Sequence, residues 1–162
     1  MNVVLIGMPG AGKSRIGREL SKKLGMRFFD TDKVIREEYG DIPTIFSLKG
    51  EEYFRNLETK AIFKVADGDN RVISTGGGAV LKPENMEILR KNGLIVYLKA
   101  DKETLFKRTA GSARPLLKGD AMKNIENLLS VRSALYEKYA DITVDANSDD
   151  VTKKVDYIKG KI

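Results

Sequence analysis

Residues Gly7-Met8-Pro9-Gly10-Ala11-Gly12-Lys13-Ser14 constrain this chain more than any other stretch. They follow an apolar run, Val3-Val4-Leu5-Ile6, and open a helical pattern at Arg15-Ile16-Gly17-Arg18-Glu19-Leu20. A strand, a glycine-rich turn and a helix with the spacing G-x-x-x-x-G-K-[ST] make a phosphate-binding P-loop. Glycines at 7, 10 and 12 let the backbone curl until successive N–H groups point into one anion-sized concavity. The N-terminus of the following helix aims its partial positive charge at the same place. In that arrangement Lys13 reaches the β- and γ-phosphates of a nucleotide, and the Ser14 hydroxyl meets Mg²⁺. The rest of the chain must supply what receives the phosphate.

Elimination narrows the chemistry. The chain has no cysteine, which rules out disulfides, thiolate zinc sites and a cysteine nucleophile. It has no histidine, so acid–base work falls to Asp, Glu, Lys or Tyr. Its 162 residues predict one domain, 1–162, with a substantial core. There is no signal-peptide pattern and no apolar span long enough for a membrane, so a cytoplasmic protein without a membrane partner is expected. The net charge of +6 is dispersed, with no basic stripe and no interleaved aromatics. That favours small anionic ligands over nucleic acid.

Along the chain, apolar runs alternate with helical patterns. Asn2–Ile6, Met26–Phe29, Arg71–Ser74, Leu94–Leu98 and 142–145 are predicted strands. Predicted helices run from Lys13 to Leu24, through Val34 to Tyr39, over 44–48, over 50–66, from Pro83 to about Asn92, through Leu105 and Arg108, and from Asp120 to about Tyr139. A final helix is capped by Ser148 or Asp149. Strands separated by helices imply a parallel sheet covered on both faces: α/β, a three-layer α/β/α sandwich on five strands. Ligands of such sheets bind at the carboxyl ends of the strands. The P-loop, Asp30-Thr31-Asp32 and Gly76-Gly77-Gly78 end the first three strands and would face one crevice.

Asp30 and Asp32, one residue apart in an extended stretch, would share a face. One would serve the metal's water shell and the other an acceptor hydroxyl; alternatively Asp30 or Thr31 caps the next helix. Three successive glycines suit close approach of backbone to a ligand, or a plain turn. Arg55 stands within helical reach of Glu51, Glu52 and Glu58, so surface pairing competes with ligand binding. Arg132 lies beside an apolar stripe of Leu128, Leu129, Leu135 and Tyr136 without an acidic partner on its helix. Such a cation suits an external carboxylate. Arg114, between small residues, is either a solvated loop charge or a cation that a mobile loop brings onto the transferring phosphoryl group.

Taken together, these pieces resemble the shikimate kinase family, P-loop kinases of the nucleoside monophosphate kinase structural group. The likeness rests on the P-loop, Phe-Phe-Asp-Thr-Asp at 28–32, Phe-Arg-Asn-Leu-Glu at 54–58 and Gly-Gly-Gly-Ala-Val at 76–80. Arg-Pro-Leu-Leu at 114–117 and Arg-Ser-Ala-Leu-Tyr at 132–136 complete it. The resemblance implies ATP-dependent phosphorylation of the 3-hydroxyl of shikimate by a monomer, with Mg²⁺ as cofactor. It implies nucleotide contacts from Gly10, Ala11, Gly12, Lys13, Ser14, Arg15, Arg108 and Arg114, with Arg108 near the adenine. Mg²⁺ would rest on Ser14 and, through water, on Asp30. Asp32 would meet the acceptor hydroxyls, and Arg55 and Arg132 the carboxylate. Gly76, Gly77 and Gly78 would line the substrate, Phe46 and Phe54 would wall its pocket, and Lys13, Asp32 and Arg114 would carry catalysis. A substrate-binding segment is expected at about 31–60 and a lid at about 109–119.

Two departures from the pattern stand out: Arg15 after Ser14, and a third strand that runs into Ser74-Thr75 instead of a Walker B aspartate. A gluconate or nucleotide kinase shares the P-loop and lid but needs another acceptor pocket. A GTPase-like switch lacks its Asn-Lys-x-Asp motif here, and a nucleotide-gated nucleic-acid binder lacks its basic stripe.

Overall fold

A computed structural model describes residues 1–109 and 120–162. In chain order its strands and helices are β1 (Asn2–Ile6), α1 (Lys13–Leu24), β2 (Arg27–Asp30), α2 (Thr31–Tyr39), α3 (Ile42–Lys49), α4 (Glu51–Ala66) and β3 (Arg71–Ser74). A short 3-10 turn follows at Ala79–Leu81, then α5 (Pro83–Arg90), β4 (Gly93–Lys99), α6 (Lys102–Thr109), α7 (Ala121–Tyr139), β5 (Ile142–Asp145) and α8 (Val151–Lys161). The strands form one parallel sheet in the order β2-β3-β1-β4-β5.

β1 is central and buried along its whole length, as an unalternating apolar run requires when both faces are covered. α1 and α8 pack together on one face, while α4, α5 and α7 cover the other. The main core joins β1, β3 and β4 to the inward faces of these helices. A second, smaller apolar cluster of Ile35, Ile45, Phe54, Leu57 and Ala61 ties α2, α3 and α4 to one another. Those three helices span the segment expected to bind substrate.

Several boundaries differ from the sequence reading for physical reasons. The helix expected over 44–48 begins earlier, at Ile42, with Pro43 in its first turn, where its missing N–H has no intrahelical partner to lose. Asp41 caps that turn through the Thr44 amide at 3.1 Å. α5 ends at Arg90 rather than near Asn92, and β4 begins at Gly93, where a side chain would meet the Leu89 carbonyl. The last helix is capped by Asp150, which accepts from the Lys153 amide at 3.0 Å, not by Ser148 or Asp149. The lid expected over 109–119 lies outside the described residues except for Thr109, and Arg114 lies outside them too.

Candidate active site

The order β2-β3-β1 sets the carboxyl ends of three strands side by side. Register pairs Ser74 with Leu5 on one side and with Asp30 on the other. The P-loop therefore rises beside the chain that leaves β3 and faces the end of β2.

Gly7, Gly10 and Gly12 have φ of 148°, 89° and 96°, the left-handed region that L side chains avoid. Gly10 is also confined: a Cβ there would stand 2.8 Å from the Thr109 methyl. Gly12 is the N-cap of α1, and among the described residues no side chain caps that first turn. The first-turn amides of α1 therefore have no side-chain acceptor at the cap, a setting for anionic oxygens. Lys13 is only 8% exposed and folds back over its own loop, donating to the carbonyls of Gly7 at 2.7 Å and Met8 at 2.9 Å. The Ser14 hydroxyl donates to Asp30 Oδ2 at 2.7 Å and stands 3.4 Å from Ser74 Oγ.

Asp30 caps the next helix, as one of its two readings expected, and its other oxygen meets Ser14. Oδ1 caps α2, accepting from the amides of Asp32 at 3.0 Å and Lys33 at 3.2 Å, while Oδ2 turns to Ser14. Asp32 therefore belongs to the first turn of α2, not to an extended strand, and the shared-face argument does not apply. What brings Asp32 to the crevice is the helix start. Thr31, fully buried, accepts from the Gly76 amide at 3.2 Å and seats that turn against the glycines.

Gly76, Gly77 and Gly78 have no left-handed φ. They are glycines because the space over each is taken by another side chain. A Cβ on Gly76 would stand 2.8 Å from Glu58 Oε2 and 2.9 Å from Asp32 Oδ1. On Gly77 it would stand 2.7 Å from Pro9 Cδ and 3.2 Å from an Arg132 guanidinium nitrogen. On Gly78 it would collide with the Arg55 guanidinium. One strip of bare backbone thus gathers Asp32, Arg55 and Arg132 and touches the P-loop through Pro9.

Arg55 donates to Glu58 at 3.0 Å and to Glu51 at 3.4 Å, so the pairing on its own helix is real. It is not ordinary surface pairing, because the Glu58 side chain is only 1% exposed. Burial pushes the Glu58 carboxyl above its usual range, and the Arg55 guanidinium beside it only partly offsets that. Arg55 also stacks over Phe54 at 5.2 Å and Phe46 at 6.0 Å, and the two rings pack at 4.6 Å. Arg132 is 9% exposed and has no salt-bridge partner among the described residues. Arg108, from α6, bridges to the Gly10 carbonyl at 3.3 Å, beside a cavity of about 190 Å³ that Gly12 and Arg15 also line.

The family model for shikimate kinase matches residues 9–162. The chain belongs to the shikimate kinase family. A shikimate kinase of Thioalkalivibrio sulfidiphilus is 44% identical over 160 residues, covering 97% of this chain and 84% of that one. Two solved shikimate kinases share the fold along 99% of this chain. The enzyme of Acinetobacter baumannii, in complex with shikimate, has 35% identity and a TM-score of 0.89 over 93% of its length. That of Bacteroides thetaiotaomicron has 31% identity and a TM-score of 0.93 over 97% of its length.

Three further residues stand in the crevice, and the sequence reading gave none of them a role there. Glu58 read as a partner for Arg55 and as the end of the 54–58 stretch, without a place of its own in the crevice, although its position three residues on put it at the same spot. Ser74, at the end of the strand that lacks a Walker B aspartate, is a second polar neighbour of Ser14 beside Asp30. Tyr136 read as part of an apolar stripe. Its hydroxyl donates to the Gly77 carbonyl at 2.5 Å and its ring stacks on Tyr97 at 5.1 Å. Burial pushes its phenol up to about 12, against the lowering effect of Arg132, so it stays a donor at neutral pH.

Proposed function

We propose that this family member transfers the γ-phosphate of ATP to the 3-hydroxyl of shikimate, giving shikimate 3-phosphate. The observation that carries the reading is the strip Gly76–Gly78, which lies under Asp32 and two arginines and meets Pro9 of the P-loop at Gly77, the same glycine that Arg132 approaches. Donor and acceptor halves therefore share a wall. In this reading Arg55 and Arg132 hold the carboxylate of the acid, a geometry guanidinium groups suit. Phe46 and Phe54 form the apolar wall and Gly76–Gly78 offer backbone to the ring. Helices α2 to α4, about 31–60, form the acceptor segment.

Lys13, the P-loop amides and Arg114 neutralise the phosphates. Asp32 aligns the attacking hydroxyl and accepts its proton late in the transfer, since a loose transition state asks chiefly for positioning and charge neutralisation. The donors present suit Mg²⁺. One hydroxyl, Ser14, has one carboxylate, Asp30, behind it, and the described residues hold no cluster of three acidic groups that would bind a metal without phosphate. Ser14 and, through water, Asp30 would hold the ion, which would supply charge neutralisation to the phosphates. Arg108 and Arg15 lie toward the nucleoside end. The reading also takes the enzyme as a cytoplasmic monomer; no described helix is long and apolar enough to cross a membrane.

The test is ADP release with shikimate, gluconate and AMP offered separately, with the product identified by phosphorus NMR. Release with shikimate alone is expected. Turnover of gluconate or AMP in its place would overturn the acceptor assignment.

A further inference from the structure

Lys154 is a buried cation that the phosphoryl-transfer scheme does not use. It stands in the first turn of α8, 5% exposed, and its ammonium donates to the carbonyls of Ser148 and, at 3.4 Å, Ala146. Arg108 reaches the same turn from α6. It donates to the Ser148 carbonyl at 2.8 Å and the Asn147 carbonyl at 3.3 Å while its other nitrogen holds Gly10 of the P-loop. Three successive carbonyls are thus turned toward two cations, and that of Ser148 is shared.

The turn is tied down from its other side as well. Asp145 accepts from the Asn147 amide at 2.9 Å, Asn147 Oδ1 accepts from the Asp101 amide at 2.8 Å, and the Ala146 amide donates to Lys99 O at 2.8 Å. Lys154 separates two hollows. One is the cavity of about 190 Å³ beside Gly12, Arg15 and Arg108; the other, of about 590 Å³, is lined by Thr143, Asn147 and Tyr157.

A lysine here is costly. Burial and the neighbouring Arg108 charge push its ammonium below the ordinary lysine value, with Asp149, Asp145 and Asp150 opposing. An apolar side chain would fill the space without that desolvation. What the ammonium supplies is a donor to the buried Ala146 carbonyl and a second hold on the Ser148 carbonyl that Arg108 also grips.

We propose that Lys154 is a positioning residue for the nucleotide. It fixes the 146–148 turn and, through the shared Ser148 carbonyl, the Arg108 guanidinium, so that the nucleoside end of the P-loop crevice is preformed. This rests on reading that crevice as the ATP site. Preorganisation of this kind sets affinity and leaves the chemical step alone.

The test compares Lys154→Met, of similar length but without charge or donors, with the wild-type protein. The dissociation constant of ADP, by calorimetry, and the KM for ATP should each rise about tenfold, with kcat and the shikimate KM within about twofold. Lys154→Gln, which keeps a neutral donor, should fall between the two, and it serves alone if the methionine variant does not fold. Unchanged ADP affinity in whichever variant folds overturns the proposal. So does a shikimate KM that rises in step with that for ATP, which would mark general loosening. If the wild-type protein binds ADP in a Lys154-dependent way but leaves shikimate unphosphorylated, the acceptor assignment fails and this proposal stands. If shikimate is phosphorylated and the variants bind ADP normally, this proposal fails alone.

Discussion

Arg55 holds Glu58 by one oxygen at 3.0 Å, and the other, Oε2, lies over Gly76 with no hydrogen-bond partner among the described residues. A buried acceptor left open costs stability wherever it is ionised. Burial raises the Glu58 pKa above 4.5, more than the Arg55 charge lowers it. A carboxyl raised on folding keeps its proton longer than in the unfolded chain. Its stabilising effect is complete below 4.5 and is lost as pH climbs through the raised value. Thermal midpoints measured against pH should therefore show the wild-type chain losing ground to Glu58→Gln above 4.5. A gap that does not change with pH would contradict the burial argument.

Gly78→Ala and Gly77→Ala should separate the two halves of the crevice. At Gly78 the intruding methyl meets Arg55, a flexible side chain that can move away from the acceptor. The shikimate KM should rise about tenfold, ~1.4 kcal/mol, with the ATP KM unchanged. At Gly77 the methyl meets the ring of Pro9 at 2.7 Å, so the P-loop itself must shift and the ATP KM should rise. Steady-state kinetics with each substrate varied in turn decides; identical effects from both variants would refute the division.

Arg132→Ala should weaken acceptor binding by roughly 2–5 kcal/mol, the usual loss when a buried charge partner is removed. Calorimetric titration with shikimate reads this directly, and an unchanged affinity would remove Arg132 from the site.

Asp32→Asn keeps the helix start, because the Asp30 cap is made to backbone amides. Activity should still fall by at least about 100-fold in kcat, as for a lost proton acceptor, while ATP affinity holds. Near-normal turnover would leave Asp32 without a role in the transfer.

Ser14→Ala removes the hydroxyl that Asp30 holds at 2.7 Å. Turnover should then need far more Mg²⁺ to saturate, and chelation should silence both proteins. A Mg²⁺ titration that superposes on the wild type would sink the metal assignment.

The donor half was legible in the sequence because its chemistry is local. Gly7 to Ser14 act through their own backbone, φ preferences and the helix they begin, and eight consecutive residues carry all of that. Composition set limits in the same way, since a chain without histidine or cysteine cannot use either. The acceptor half was legible only as candidates. Arg132 stood out because its helix offered it no carboxylate, whereas Arg55 remained ambiguous because helical spacing alone cannot say whether Glu58 is buried.

Tertiary structure decided what the local pattern left open. The strand order put Ser74 between Leu5 and Asp30, which set both the Asp30 carboxylate and the Ser74 hydroxyl beside Ser14. It also showed why residues 76–78 are glycines: not for turning, since their φ values are ordinary, but because Asp32, Glu58, Pro9, Arg132 and Arg55 fill the space above them. Those five side chains come from the P-loop and three different helices. Lys154 is legible only there too, because a lysine in the first turn of a surface-patterned helix looks solvated until the carbonyls of Ala146 and Ser148 are found around it. Backbone preference and phosphate chemistry act over a few residues and are written in sequence. Exclusion of volume and burial of charge act across the fold and arise only when distant segments meet.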